Sequence, residues 1–444
     1  ASPLQVMQSR GGLASASTAI QRPVRLFLSG PAAGVVGGQN EGKLVGETEL
    51  ITVDVGGTSC DIALITEGQA LTRSEGNIDG FTVRVPMVDV SAIGAGGGSI
   101  AWIDDAGGLR VGPHSAGSDP GPACYGQGGN EATVTDASVV LGLVDPRYFA
   151  GGTMQLDPER AREIVRTKVA EPLGLDLDRA AAGIHQVLNA QMAEGIRLMT
   201  IGRGYDPREF ALVALGGGGP IHACALAEEL QIRRIVIPVR PGVLSASGLL
   251  SAPVEHERAL SFTAELAGID VADLRERLDR LDERCADLMA KEDIGDLAVD
   301  IRYFADLCYV GQGYHLEIPL RLDTDSPVDD LYRLFLDAHE RVYGHAVDGA
   351  VRFVNLRAVH SSRATEGDEN MAYATDASSG TDEPPRLRNI LIPGEPRRQD
   401  ARIYQRDALA PGERIAGPAI LEQNDTTTLI GTAWTATVHD NGVV

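Results

Sequence analysis

Between residues 178 and 201 apolar side chains recur every three or four positions, at Ile184, Val187, Leu188, Met192, Ile196 and Met199, with polar residues between them. That period predicts an amphipathic helix, stopped by the glycine and proline of "GRGYDP". Earlier in the chain the pattern is different. "LITVDV" (50–55) and "DIALIT" (61–66) are β-branched, apolar runs joined by a "GGTSC" turn, which predicts a hairpin. "SIAWID" and "LRVGP" predict another around "DAGG". "FALVALGGGGPIHACALAEEL" reads as a buried strand, four glycines, and a helix with Pro220 at its first position. "RRIVIPVRPGVLSASGLL" adds strand, loop and a small-residue helix start. Strands alternating with helices predict an α/β fold.

Beyond residue 260 the pattern becomes more charged. "DVADLRERLDRLDERCADLMAKE" predicts a surface helix and "AVDIRYFADLCYVGQGYHLEIPLRL" two strands. "SPVDDLYRLFLDAHERVYGH" predicts a further helix, capped by Ser326 with acids in its first turn. Residues 366–387 are polar and turn-rich, a linker or exposed loop, and short strands resume through "AILEQNDTTTLIGTAWTATVHD". The resulting division is a glycine-rich lobe over 1–258, an α+β domain over 259–365, the linker, and a β-rich segment over 388–444.

Composition removes several functions. The 444 residues are 43% hydrophobic and 23% charged, enough for two or three globular cores. A formal net charge of -23 with no balancing Lys/Arg run makes nucleic acid and anionic membrane poor partners. No apolar run is long enough to span a bilayer, and "ASPLQVMQSRGG" has neither a basic leader nor an apolar signal core. Cys60, Cys124, Cys224, Cys285 and Cys308 are odd in number and form no CxxC pair. They read as free thiols of a reducing, cytoplasmic compartment.

Candidate chemistry gathers at the glycine turns. Gly56 and Gly57 have no side chain to block an anion from the backbone N–H groups, Thr58 adds a hydroxyl, and Asp54 or Asp61 can hold Mg²⁺. The plain alternative is a hairpin with solvated acids. Gly216, Gly217, Gly218 and Gly219 lie between strand and helix, where the helix N-terminus favours an anion or close nucleotide approach. With no Gly-Lys-Ser/Thr following, this is not a P-loop. "GAGGGS" (94–99) is a third loop, for which a tight turn is sufficient explanation. Three such loops in one α/β region favour nucleotide binding. His114, Asp119, Asp136 and His222 are candidate ligands of a second divalent metal, against a reading as loop-capping acids and a helix-surface histidine. Cys124 lacks a located base and reads as a small hydrophobe. His339 and His345, six apart, support packing of their helix.

"LSGPAAGVVGG" (28–38), "DVGGTSCDIALI" (54–65), "GAGGGSI" (94–100), "SAGSDPGPACYGQGGNEATVTDA" (115–137), "GRGYDPREFALVALGGGGPIHA" (202–223), "PGVLSASGLL" (241–250) and "GPAILEQNDTTT" (417–428) follow one another along nearly the whole chain. In this succession the sequence resembles the hydantoinase A and 5-oxoprolinase family. The resemblance implies the actin, Hsp70 and sugar-kinase ATPase superfold, in which two related lobes clamp ATP and Mg²⁺. It implies ATP-coupled opening of a cyclic amide such as a hydantoin or 5-oxoproline, or carboxylation of a ketone, beside a hydantoinase B-like subunit. "DVGGTSCD" then matches the second phosphate hairpin and "LGGGGP" the adenosine motif. Asp54 and Asp61 become the catalytic acids, and Cys60 stands where relatives carry threonine. The first phosphate hairpin is not in these residues, so the expectation is a C-terminal lobe plus α+β region, with the first lobe in cis or on another chain. These residues alone are expected to bind nucleotide weakly and not turn it over. A non-catalytic, nucleotide-sensing subunit is the reading from a different class.

Overall fold

A five-strand path forms the central sheet of the first lobe. The computed structural model describes residues 4–78, 80–292, 294–295, 297–362 and 386–444. Helix α1 (Ser29–Val45) precedes the hairpin β1 (Leu50–Val55) and β2 (Cys60–Thr66), then β3 (Val90–Ile93). A second hairpin, β4 (Ser99–Ile103) and β5 (Leu109–Ser115), leads to α2 (Val134–Leu141) and α3 (Leu177–Met199). β6 (Ala211–Leu215), α4 (Gly219–Leu230), β7 (Ile235–Val236) and α5 (Leu244–Ser251) complete the lobe. The sheet order is β3-β2-β1-β6-β7, with the short strand Gln69–Ala70 beside β2. β1, β2 and β3 pair antiparallel, whereas β6 is parallel to both β1 and β7.

Residues of β1 and β2 alternate between the two faces, as strand geometry requires. Ile51, Val53, Val55, Cys60, Ile62 and Leu64 face the larger core with α3 and α4, whose Ile184, Leu188, Met192 and Ile196 are buried as the periodicity predicts. Leu50, Ala63 and Ile65 face the opposite way, toward α1 and α5. The sheet is therefore covered on both faces, which explains why its strands read as continuous apolar runs. Gly248 of α5 brings that helix onto α1 so closely that a Cβ there would lie 2.0 Å from the Ala33 carbonyl oxygen.

The second unit is an antiparallel sheet, ordered β8 (Glu255–Ser261), β11 (Val351–Ser362), β9 (Val299–Tyr309), β10 (Leu316–Leu320). Helices α6 (Val271–Met289) and α7 (Pro327–Tyr343) pack on it through Leu278, Leu281, Phe335 and Phe353. Ser326 stands at the start of α7, yet its side chain caps nothing; Asp329 and Asp330 do occupy the first turn. His339 is buried against Tyr309 and Tyr343, a packing role. The expected boundary at 258/259 falls inside β8, so the lobe's chain runs directly into the second sheet.

The final unit is the sheet β12 (Arg386–Ile390), β13 (Gln399–Gln405), β14 (Ala419–Glu422), β15 (Thr427–Ile430). Its Ile390, Ile403, Ile420 and Leu429 join the first lobe's core, while Ile415, Ala419, Leu421 and Ile430 form a small cluster of their own. Arg398 binds Asp178 on α3 and Trp434 donates to Glu228 on α4. The predicted linker lies outside the described residues except for its last two, which open β12. All five cysteines are free and buried. Among the described residues no helix is long and apolar enough to cross a membrane.

Candidate functional site

β1 and β6 run parallel and side by side, so their carboxyl ends meet at one edge of the sheet. The loops leaving those ends are the two glycine turns. In open α/β sheets ligands bind at such an edge. Gly218 N–H donates to the Val55 carbonyl at 2.9 Å, joining one turn to the base of the other.

Asp54 and Asp61 are directly opposite across the hairpin. By strand alternation both lie on the α1/α5 face, and Cys60 on the other. Cys60 is fully buried and burial pushes its thiol well up, so it faces the core, not the turn. Asp54 is enclosed by glycines. A Cβ on Gly216 would sit 2.4 Å from Asp54 Oδ1, and one on Gly34 would sit 3.5 Å from Oδ2 and 3.0 Å from Ser245 Oγ. Gly216 also has φ +78, a conformation natural to glycine. Burial, reinforced by the charge of Asp61, pushes the Asp54 carboxyl up to about 6. Burial raises Asp61 as well. Neither carboxylate has an ion pair or side-chain hydrogen bond among the described residues. Two half-buried like charges facing each other cost free energy unless a cation lies between them.

Gly56, Gly57 and Thr58 are exposed at the turn, and a Cβ on Gly57 would meet nothing within 4 Å. The loop at 94–99 supports this turn from behind. Gly97 N–H donates to the Gly56 carbonyl at 3.0 Å and Gly98 N–H to that of Gly57 at 2.7 Å. A Cβ on Gly96 would come within 2.8 Å of the Gly56 oxygen. Thr135 locks this loop through its hydroxyl, 2.8 Å from the Gly97 carbonyl. Gly216–Gly219 is held in turn from the C-terminal unit. Thr426 donates to the Gly217 carbonyl at 2.9 Å, and Asp425 accepts from the Gly242 N–H at 2.9 Å. Gly34, Ser245, Thr135 and Thr426 had no assigned role in the sequence reading. Each lies in one of the unusual small-residue or "QNDTTT" strings, but only the fold brings those strings to Asp54.

The four candidate ligands of a second metal do not come together, and that assignment is corrected. His114 and Asp119 are exposed on β5 and the following loop. Asp136 is buried and fully engaged: it accepts from the N–H groups of Ala123, Cys124 and Thr133 and from the Thr133 hydroxyl, completing a capping box on α2. His222 lies inside the core, its Nδ1 2.7 Å from Asn189 Oδ1 and its ring stacked on His185. Burial pulls it down to about 4, so it is neutral. No group of three or more His, Cys, Asp or Glu side chains among the described residues is arranged to hold a metal. Cys124 is buried, and burial with nearby Asp136 raises its thiol, which leaves it no nucleophile.

Comparison with known proteins agrees with this architecture. Residues 1–258 match the model of the Hydantoinase/oxoprolinase family, and 387–443 that of the Hydantoinase/oxoprolinase C-terminal domain. Caprolactamase subunit alpha of Pseudomonas jessenii is 34% identical over 439 residues, 97% of this chain and 63% of that protein. The crystal structure of the ATP-dependent caprolactamase from that organism superposes with TM-score 0.88 at 33% identity, over 100% of this chain and 65% of that one. The nucleotide-free acetone carboxylase structure superposes with TM-score 0.75 at 26% identity, over 99% and 64%. 5-Oxoprolinase 1 of Arabidopsis thaliana is 30% identical over 96% of this chain and 34% of its own length. The chain thus spans less than two thirds of these relatives, and it belongs to the hydantoinase/oxoprolinase family.

Proposed function

We propose that this chain is the nucleotide-binding part of an ATP-dependent enzyme that opens a cyclic amide of the hydantoin or 5-oxoproline class. The observation that carries the proposal is Asp54: a carboxylate without a side-chain partner among the described residues, opposite a second one, enclosed by Gly216 of the turn after β6 and Gly34 of α1, at the carboxyl ends of adjacent parallel strands. These residues fit Mg²⁺, which is held by one or two carboxylates together with water and phosphate oxygens. Bound Mg-ATP would supply the phosphoryl group that turns an unreactive amide oxygen into a leaving group. The chain's own share is positioning and charge. The N–H groups of Gly56 to Thr58 and the Thr58 hydroxyl would hold the phosphates, Asp54 and Asp61 would hold the cation, and Gly216–Gly219 before α4 would bind the nucleoside. A sheet with a three-strand antiparallel meander followed by two parallel strands supports reading the lobe as one half of an actin, Hsp70 and sugar-kinase-like clamp. The other lobe and a hydantoinase B-like subunit would complete the enzyme.

A ketone carboxylase subunit is the second reading, favoured by the superposition on acetone carboxylase. It uses the same phosphate residues. The higher likeness to caprolactamase supports the cyclic amide. ADP release by the complete complex, measured separately with hydantoin, 5-oxoproline, caprolactam and acetone plus bicarbonate, discriminates. Stimulation by a cyclic amide is expected. ATP binding without stimulation by any of them would leave a nucleotide-sensing subunit.

A further inference from the structure

An open cavity of about 2870 Å³ lies between the first lobe and the second unit, away from the glycine turns. Its floor is a network of paired charges. Arg10 reaches Glu255, Glu257 and Glu317 at 3.2 to 3.5 Å, and Arg357 reaches Glu257 and Asp306, each at 2.7 Å. These carboxylates are therefore committed. Among the further arginines that line the same cavity, four stand apart: Arg22 and Arg25 at the turn Pro23–Leu26, Arg258 on β8 and Arg284 on α6. None of the four makes an ion pair or a side-chain hydrogen bond with a described residue. Arg25 and Arg258 are half-buried, whereas Arg22 and Arg284 are exposed at the rim.

Their charges act on one another. Burial lowers Arg25 against the pull of Glu257, and Arg22, Arg10 and Arg357 lower it further. Burial lowers Arg258, and Arg22, Arg25 and Arg284 add to it. In a chain of net charge -23, with acids abundant, four neighbouring arginines that form no ion pair with a described residue, only Arg25 feeling a nearby carboxylate in Glu257, are an electrostatic cost the fold retains. The turn that carries two of them is fixed, because Ser9 donates to the Arg25 carbonyl from its N–H at 2.6 Å and from its hydroxyl at 2.7 Å. Guanidinium groups carried on a fixed turn, a strand and a helix, two inset and two at the mouth, match the flat, bidentate chemistry of phosphate and carboxylate.

We propose that Arg22, Arg25, Arg258 and Arg284 form a binding site for a small, multiply charged oxyanion, a phosphate or polycarboxylate group, distinct from the glycine-turn site. A single negative charge would leave most of the repulsion in place; two or more relieve it. The inset pair sets the size, since a compact headgroup reaches Arg25 and Arg258 while a polypeptide backbone meets the rim.

Calorimetric titration of the protein with pyrophosphate, with citrate and with a heptaglutamate peptide tests this. Saturable binding of pyrophosphate or citrate is expected, and which of the two binds tells phosphate from polycarboxylate. The double variant Arg25→Gln/Arg258→Gln should weaken it by at least about tenfold, and Asp54→Asn should not. The exposed pair Arg22→Gln/Arg284→Gln gives the same reading if the inset variant fails to fold. Absence of saturable binding by both small anions, equal affinity in an arginine variant, or binding of heptaglutamate alone would overturn the site.

Discussion

Asp54 concentrates the chemistry into one side chain, and its environment makes it testable. Its folded carboxyl titrates near 6 against an ordinary value of 3.8, so folding favours the protonated form. The sign follows directly. Below about pH 4 Asp54 costs the fold nothing, and as pH rises through 6 its ionisation removes stability, up to roughly 3 kcal/mol at about 1.4 kcal/mol per unit. Asp61 acts in the same direction. Thermal melts of the ligand-free protein should therefore drop between pH 4 and 6 and level off above. Asp54→Asn should flatten that drop and leave the fold intact while abolishing Mg-ATP turnover in the complete enzyme. A variant with unchanged turnover would remove Asp54 from the site. Gly216→Ala is the matching steric test. The left-handed conformation alone costs about 1–2 kcal/mol, and the added methyl falls on Asp54 and on the Val55 carbonyl. Nucleotide binding should fall further than stability does, seen as weaker titration by a protein that still melts cooperatively.

At the scale of elements, buttressing decides which loops can act. The turn at 56–58 is exposed, but the loop at 94–99 and Thr135 hold it from behind. Asp136 anchors that support, since it closes the start of α2 and fixes the Ala123–Cys124 backbone. Asp136→Ala leaves four donors without their acceptor and should cost roughly 2–4 kcal/mol in denaturant unfolding, with metal content unchanged. A loss of bound metal would restore it as a ligand. Much of this was legible in the sequence. The period of Ile184 to Met199 gave α3, and the β-branched runs gave the hairpin that carries Asp54 and Asp61. Helix α1 was not legible, because "SGPAAGVVGG" is rich in glycine and has no apolar stripe; its glycines serve close packing on Thr52, Leu50 and Leu244. Asp136 and His222 were misread because residue type alone does not reveal burial. A capping box and a core histidine use the same side chains as a metal site. The approach of Ser245 to Gly34 and the bond from Thr426 to Gly217 join residues far apart in the chain, and no local pattern reports them.

On the scale of the molecule, charge ties the first lobe to the second unit. Arg10 is buried among Glu255, Glu257 and Glu317; burial opposes its charge, yet the three acids outweigh that and hold it above its ordinary value. Removing it takes one of two arginine partners from each of these carboxylates, Arg302 remaining on Glu255 and Arg357 on Glu257 and Glu317, so Arg10→Ala should destabilise by about 1.5–3 kcal/mol. Denaturant unfolding checks this, and a loss below about 1 kcal/mol would contradict it. The C-terminal sheet has a comparable role at the other end. It shares the lobe's core and sends Thr426 to the second glycine turn and Asp425 to Gly242, which ties the site to the C-terminal unit. The most direct test of the central claim is calorimetric titration of the protein with ATP, with and without Mg²⁺, beside Asp54→Asn. Saturable binding that requires Mg²⁺ and is lost in the variant is predicted; absent binding, or binding indifferent to Asp54, would contradict it.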